Sequence, residues 1–372
     1  MSTKSNNNAV AAGHARPWLG ADVVSDIGIL QRARMELAYF SGYARLKQRQ
    51  TGGAGVILRY ERVRARRPQR FQPHRAGEIT PQFLDRTIRA LKRWKFDLVT
   101  IDEVCRRAVT LPKPRPFVCL TFDGGYKDVV TDAYPVLAKH GVPFAIYLPT
   151  AFPDRLGEMW WLALEEMIAR ESRISLVIDR KERHFAARQT SEKHDTFEFL
   201  ASWMRTLQPA DLSFAIHDLC KRYSVDLAAL SRDVSMDWDD LAKLAADPLV
   251  TIGSATVNYP VLSNLREADA RREIAMGKAV AETAFRGEVR HFAYPFGDRK
   301  SWRRQHLEMA QEAGFASAVT AIPGVVQPKG YTSLHALPRV GWDGRRRSLR
   351  LMRVILSGLM FPPVAPAKDN LA

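Results

Sequence analysis

Three short segments place polar side chains directly after apolar runs. The first is TFDGGYKD at 121–128, where Asp123 follows FVCLTF and precedes Gly124 and Gly125. In alternating α/β chains the reactive groups sit at the C-terminal ends of the strands. A carboxylate there can act as a general base or bind a metal, and it can equally cap the helix that follows. The second is IGSATVNYP at 252–260, with Ser254, Thr256, Asn258 and Pro260 but no His, Cys or carboxylate. By itself it reads as a turn that closes a strand. The third is FAYPFGD at 292–298, an aromatic loop suited to stacking on a sugar ring or to closing a core.

The elements around these segments alternate. VILRY (56–60), FVCLTF (117–122) and VPFAIYLP (142–149) are nearly pure apolar runs, as expected of parallel strands covered on both faces. Thr80-Pro81 opens a helix running to about Lys95, with Thr80 as cap. KDVVTDAYPVLAKHG is a helix closed by Gly141. The alternation predicts a parallel α/β architecture. It breaks over residues 157–235, where GEMWWLALEEMIARES, an apparent hairpin ISLVIDRKERHFAA and further helices predict a mostly helical insertion. It resumes after that with LVTIGSAT, RHFAYPFGD and ASAVTA. Residues 23–48 read as one helix, whose apolar stripe includes Ile27, Leu30, Ala33, Leu37, Phe40 and Tyr43.

The chain has 372 residues, 46% hydrophobic and 26% charged, which excludes disordered, collagenous and coiled-coil classes. Its net charge of +16 reflects either an Arg-rich surface or an anionic partner. The three cysteines, Cys105, Cys119 and Cys220, form no paired motif and suit a reducing compartment. The opening MSTKSNNNAVAAGHARPWLG lacks the apolar stretch of a secretory signal, and no run is long enough to span a membrane. A cytoplasmic protein is expected.

Taken together, TFDGGYKD, DPLVTIGSATVNYPVLSNL, RHFAYPFGD and the late LPRV resemble the motifs of the polysaccharide deacetylases. That family shares its catalytic domain with the rhizobial chitooligosaccharide deacetylase. The resemblance spans about residues 53–340. It implies a distorted (β/α) barrel of seven or eight strands, a divalent metal, usually zinc, and hydrolysis of N- or O-acetyl groups on a glycan. The implied organisation is a disordered stretch at 1–22, an N-terminal helix at 23–52 and a barrel at 53–340 carrying the 157–235 insertion. A basic helix and tail follow at 341–372.

The departures from the family pattern bear directly on activity. Asp123 matches the family's catalytic base. The metal-binding Asp position is Gly124, and the two metal-binding His positions are Ala255 and Tyr259. A further family His, at the first strand, is Glu61 here. Gly and Ala offer no donor, and a phenol with a reference pKa near 10 is a rare zinc ligand. Without metal, water keeps a pKa of about 15.7 rather than about 7. No metal site is therefore expected. The remaining route to one is a rearranged site using Asp123, Glu61, Tyr259 or His335, with Glu61 and Asp123 able to share a cation if their strands bring them together. Of the nine histidines, His335 best fits the family's late catalytic-acid position. Tyr294, Pro295 and Gly297 fit the loop that shapes the acetyl pocket.

Three functions follow: an inactive or weakly active homologue retaining a glycan groove, an active deacetylase with a rearranged site, or a basic scaffold. The tail GRRRSLRLMRVILSGLMFPPV reads as a helix lying on an anionic membrane surface or as a last helix packing on the barrel. No nucleic-acid motif is present, so no nucleic-acid partner is expected.

Overall fold

Side chains along a strand point alternately to its two faces, and this period of two decides which groups meet inside the barrel. The computed structural model describes residues 28–110 and 115–361. Seven parallel strands form one curled sheet: β1 (Gly55–Tyr60), β2 (Phe117–Asp123), β3 (Phe144–Leu148), β4 (Val250–Ser254), β5 (His291–Ala293), β6 (Ser317–Val319) and β7 (Val340–Gly341). Their order is β6-β5-β4-β3-β2-β1-β7, with a two-residue strand at Asp97–Leu98 also pairing with β2. The run into β7 closes the ring. Leu337 bridges Val319 of β6, while Val340 and Gly341 pair with Leu58 and Arg59 of β1. The expected distorted (β/α) barrel is the fold observed.

Val56, Leu58 and Tyr60 of β1, with Val118, Leu120 and Phe122 of β2, pack outward under the helices. Ile57 and Cys119 pack inward with Ala145, Tyr147, Val319 and Leu337. Arg59, Thr121 and Asp123 continue the inward parity toward the C-terminal ends, so three polar side chains arrive together at one mouth of the barrel.

Several local expectations hold. Thr80 caps the helix Pro81–Arg93, its hydroxyl accepting from the Phe83 N–H at 3.2 Å. Gly141 ends the helix Tyr134–His140 at φ +60°. The hairpin pairs Arg173–Ile178 with Lys181–Ala186 through Asp179 and Arg180, both at positive φ. Such a turn matches the twist of the flanking strands. Other expectations change. The helix expected over 23–48 is two helices, Ile29–Phe40 and Tyr43–Thr51, separated by Gly42 at φ +72°. Much of its stripe faces outward. The apolar run FDLVTI (96–101), which suggests a strand, pairs only at Asp97–Leu98, and Thr100 then caps the helix Ile101–Val109. The disordered stretch expected at 1–22 lies outside the described residues, as do residues 362–372 of the tail. The C-terminal helix Leu349–Ile355 buries Leu351, Met352, Val354 and Ile355 against the barrel, so the packing reading describes that helix. Among the described residues no helix is long and apolar enough to cross a membrane.

Two buried histidines give the fold a pH dependence. Burial holds His74 down at about 3 and His306 at about 4, from an ordinary 6.5. His74 Nε2 lies 3.3 Å from the Trp161 carbonyl, and His306 Nδ1 accepts from the Arg303 N–H at 2.8 Å. Both rings are neutral when folded and gain a proton near 6.5 when unfolded. Their contribution is complete above the unfolded value and is lost as pH falls below it. Between pH 6 and 5 urea denaturation should lose up to about 1.4 kcal/mol per histidine. A His74→Gln/His306→Gln variant that keeps the wild-type pH slope would assign the loss to other groups.

Candidate active site

Asp123 ends β2, and its carboxylate is gripped from the closing run of the barrel. Arg339 Nη1 and Nη2 lie 2.6 and 2.8 Å from Asp123 Oδ1 and Oδ2, a two-pronged ion pair. The Arg339 side chain is wholly buried. It also donates to the Thr320 carbonyl at 2.7 Å and to Thr121 Oγ1 at 3.2 Å, above the Tyr147 ring at 5.4 Å. From β1, Arg59 Nη1 stands 3.8 Å from Asp123 Oδ2, and its Nη2 stands 3.4 Å from Glu61 Oε1. Two guanidinium groups thus face two carboxylates, and the cluster is neutral overall. Buried charges persist only when matched and hydrogen-bonded in this way.

Above the cluster lies a narrow cavity of ≈ 30 Å³, lined by Arg59, Glu61, Asp123, Gly124 and an aromatic roof. That volume holds one or two waters. The roof consists of Tyr126, Phe152, Trp161, Tyr259 and Phe296. Trp161 comes from the helix Trp160–Arg170 of the insertion, and its Nε1 donates to the Tyr126 hydroxyl at 3.1 Å. Tyr259 packs 5.0 Å from Phe296 and 6.1 Å from Trp161, centroid to centroid. The insertion therefore roofs the barrel mouth. Arg205, from further along the insertion, pairs with Asp298 and stacks 4.5 Å over Phe296. Burial pushes the Asp298 carboxyl up, yet the Arg205 charge holds it below its usual range.

The residues that the resemblance assigns to metal positions do not fit a divalent cation. Gly124 has no donor, sits at φ +96°, and an added Cβ would lie 2.9 Å from the Tyr126 ring. Ala255 is fully buried among apolar side chains. The Tyr259 hydroxyl accepts the Phe296 N–H at 3.3 Å, and burial, with the Asp123 charge next, pushes its ionisation well above the usual phenol range. Arg59 takes the position between Glu61 and Asp123 where a shared cation would have to lie. Among the described residues no group of three His, Cys, Asp or Glu side chains could hold a metal.

The residues singled out in the sequence divide accordingly. Asp123, Gly124 and Tyr259 meet at the cavity, together with Glu61. His335 does not join them: its Nε2 lies 2.8 Å from the Phe315 carbonyl and its Nδ1 3.2 Å from Gln311 Nε2. Tyr294 is buried against Trp302, stacked at 4.9 Å, and donates to the His335 carbonyl at 3.0 Å. Gly297, at φ +70°, lets its loop approach the β6 exit, where a Cβ would lie 2.5 Å from the Ala321 nitrogen. Pro295 is buried in the same turn. The member of this loop that reaches the cavity is Phe296. Arg59 and Arg339 are the functional residues that sequence reasoning missed. Each is an arginine inside an apolar segment, VILRY and LPRV, and a guanidinium there requires a buried counter-ion.

The strand ends of the barrel converge on a buried acid beneath an aromatic roof. The family model described as polysaccharide deacetylase matches residues 110–175 and 207–318, and the chain belongs to that family. Among solved structures, the chain is similar to a Streptococcus pyogenes deacetylase determined in complex with acetate, at 14% identity and TM-score 0.52, covering 81% of this chain and 97% of that one. It is also similar to a polysaccharide deacetylase from Bacillus cereus, at 13% identity and TM-score 0.51, covering 81% and 68% of the two chains. IcaB from Ammonifex degensii matches at 17% identity and TM-score 0.50, covering 82% and 98%. At these identities the likeness is one of fold. No curated protein matches the chain.

Proposed function

We propose that this protein is a polysaccharide deacetylase homologue that binds an acetylated glycan, such as a chitooligosaccharide, and hydrolyses it weakly or not at all. The observation that carries this reading is the two-pronged Arg339–Asp123 pair under a cavity where Gly124 offers no donor. Each oxygen of Asp123 already accepts a charge-assisted hydrogen bond, and a divalent cation would enter beside two guanidinium groups. The glycan would lie in the adjoining groove of ≈ 300 Å³, bordered by Trp160, Tyr259, Phe296, Glu158, Asn258 and Glu273. Apolar faces with a few carboxylates and amides suit a sugar ring, and the volume is at the small end for ligand sites. A cytoplasmic location belongs to the same proposal and is supported by three cysteines that form no disulfide.

The test is acetate release from N-acetylated chitooligosaccharides beside tryptophan fluorescence titration with the same oligomers. Saturable quenching with no acetate above the Asp123→Asn background supports the reading. Turnover at an ordinary enzymatic rate, about 1 s⁻¹ or more and lost in Asp123→Asn, would overturn it. The alternative, an active enzyme with a rearranged metal site, would need Arg59 displaced from between Glu61 and Asp123. Near-stoichiometric metal in protein purified from zinc-supplemented growth would support that alternative.

A further inference from the structure

The outward-facing stripe of the N-terminal helices plays no part in the site described above. Leu30, Leu37 and Phe40 of helix Ile29–Phe40 are 79%, 69% and 68% exposed, and Leu46 of helix Tyr43–Thr51 is 75% exposed. Met35 and Ala44 are the buried residues that seat the pair on the barrel. Positions 30, 37 and 40, at steps of seven and three turned through about 100° per residue, fall on the helix face opposite Met35. Large apolar side chains exposed in one contiguous row mark a contact surface.

Beside this row runs a trough of ≈ 840 Å³, bordered by Arg32, Arg86, Arg345, Arg346, Arg347 and Arg350. The two features meet at Phe40: the Arg350 guanidinium lies 5.2 Å over the Phe40 ring while its Nε is 3.1 Å from Glu36. Arg32, on the side of the helix turned away from Leu30 and Leu37, borders the trough. A second trough of ≈ 440 Å³ continues from Arg347 to Arg64, Arg66, Arg67, Arg70 and Arg75. Burial, then the charges of Arg66, Arg75 and Arg86, press the Arg347 guanidinium below its usual range. Only a few acids, including Asp343, Glu36 and Glu78, offset these charges.

We propose that this face docks the protein on an anionic lipid bilayer, with Leu30, Leu37, Phe40 and Leu46 in the boundary between headgroups and acyl chains and lipid phosphates in the arginine trough. Interfacial helices combine an apolar row with flanking basic residues in this way. A second copy of this chain is the weaker occupant, because a two-fold contact would bring trough against trough, arginine facing arginine. A soluble polyanion would use the arginines and leave the apolar row without a role. The buried C-terminal helix supplies arginines to this face rather than inserting its own apolar side.

The test is flotation with vesicles of phosphatidylcholine containing one-third phosphatidylglycerol, against phosphatidylcholine alone, and it is independent of any hydrolysis. Wild type should float only with the anionic vesicles. Leu37→Glu/Phe40→Glu, at exposed positions that leave the core intact, should weaken binding at least about tenfold. Arg32→Ala/Arg347→Ala should weaken it roughly 30-fold, at about 1 kcal/mol per arginine. The proposal fails if wild type does not float. It fails if Leu37→Glu/Phe40→Glu floats like wild type, which would leave the trough as a site for soluble anions. It fails as well if size-exclusion chromatography shows a dimer that this variant dissolves, because the face would then be a self-contact.

Discussion

Replacing Arg339 by methionine should destabilise the protein by about 3–5 kcal/mol in urea denaturation, the range for stranding one partner of a buried ion pair. Asp123 is 5% exposed, and Arg339 supplies both of its short contacts. With Arg339 gone, Arg59 at 3.8 Å would be the nearest cation, and it is already shared with Glu61. The Thr320 carbonyl and Thr121 hydroxyl would lose a donor as well. The loss is a large part of a stability that in domains amounts to about 5–15 kcal/mol. Adding Asp123→Leu to Arg339→Met should recover at least half of it, because the cost lies in the uncompensated charge. If the double variant instead loses the sum of the two single losses, the pair is not coupled and the account of the site is wrong.

The second large effect concerns the positions that the resemblance assigns to metal ligands. A triple variant, Gly124→Asp/Ala255→His/Tyr259→His, restores the family's ligand types on paper. It should nevertheless bind zinc far below one equivalent by elemental mass spectrometry. Position 124 lies at φ +96°, where an L side chain is strained, and a Cβ there meets the Tyr126 ring at 2.9 Å. Such strain costs on the order of 1–3 kcal/mol, so Gly124→Asp alone should lower the melting temperature. The new His at 255 would enter a fully buried apolar layer, and Arg59 and Arg339 would still face the cation. One equivalent of zinc in the triple variant would show that side-chain identity alone separates this chain from a metal enzyme.

Much of the barrel could be read in the sequence because its strands are covered on both faces, which leaves runs such as FVCLTF with almost no polar residue. The insertion and its hairpin were legible through the break in that alternation. Short strands were harder. At Asp97–Leu98 the pairing stops after two residues, and local chemistry at Thr100 starts a helix where an apolar run suggested more strand. In the site, Asp123 and the departures at Gly124, Ala255 and Tyr259 were visible as motif positions. The two arginines were not, since nothing local distinguishes an inward guanidinium from an outward one until strand parity is fixed. The third loop shows the same limit. Tyr294 and Phe296 are two apart and share a parity in an extended strand, but positive φ at Phe296 and Gly297 turns the chain, so Phe296 reaches the cavity while Tyr294 stacks on Trp302. The period of the N-terminal stripe was visible, and only the structure shows that Leu30, Leu37 and Phe40 face outward.

The closing run has a consequence for how the protein is made. Leu337 holds β6, Val340 and Gly341 hold β1, and Arg339 between them reaches Asp123. All three ties come from five residues that leave the ribosome after every other strand. Until they arrive, β1 and β6 each present an uncovered hydrogen-bonding rim, the kind of edge through which nascent chains stick to one another. A nonsense mutation near codon 335 would therefore yield chains that pair with their neighbours and precipitate, although nearly the whole barrel had been synthesised.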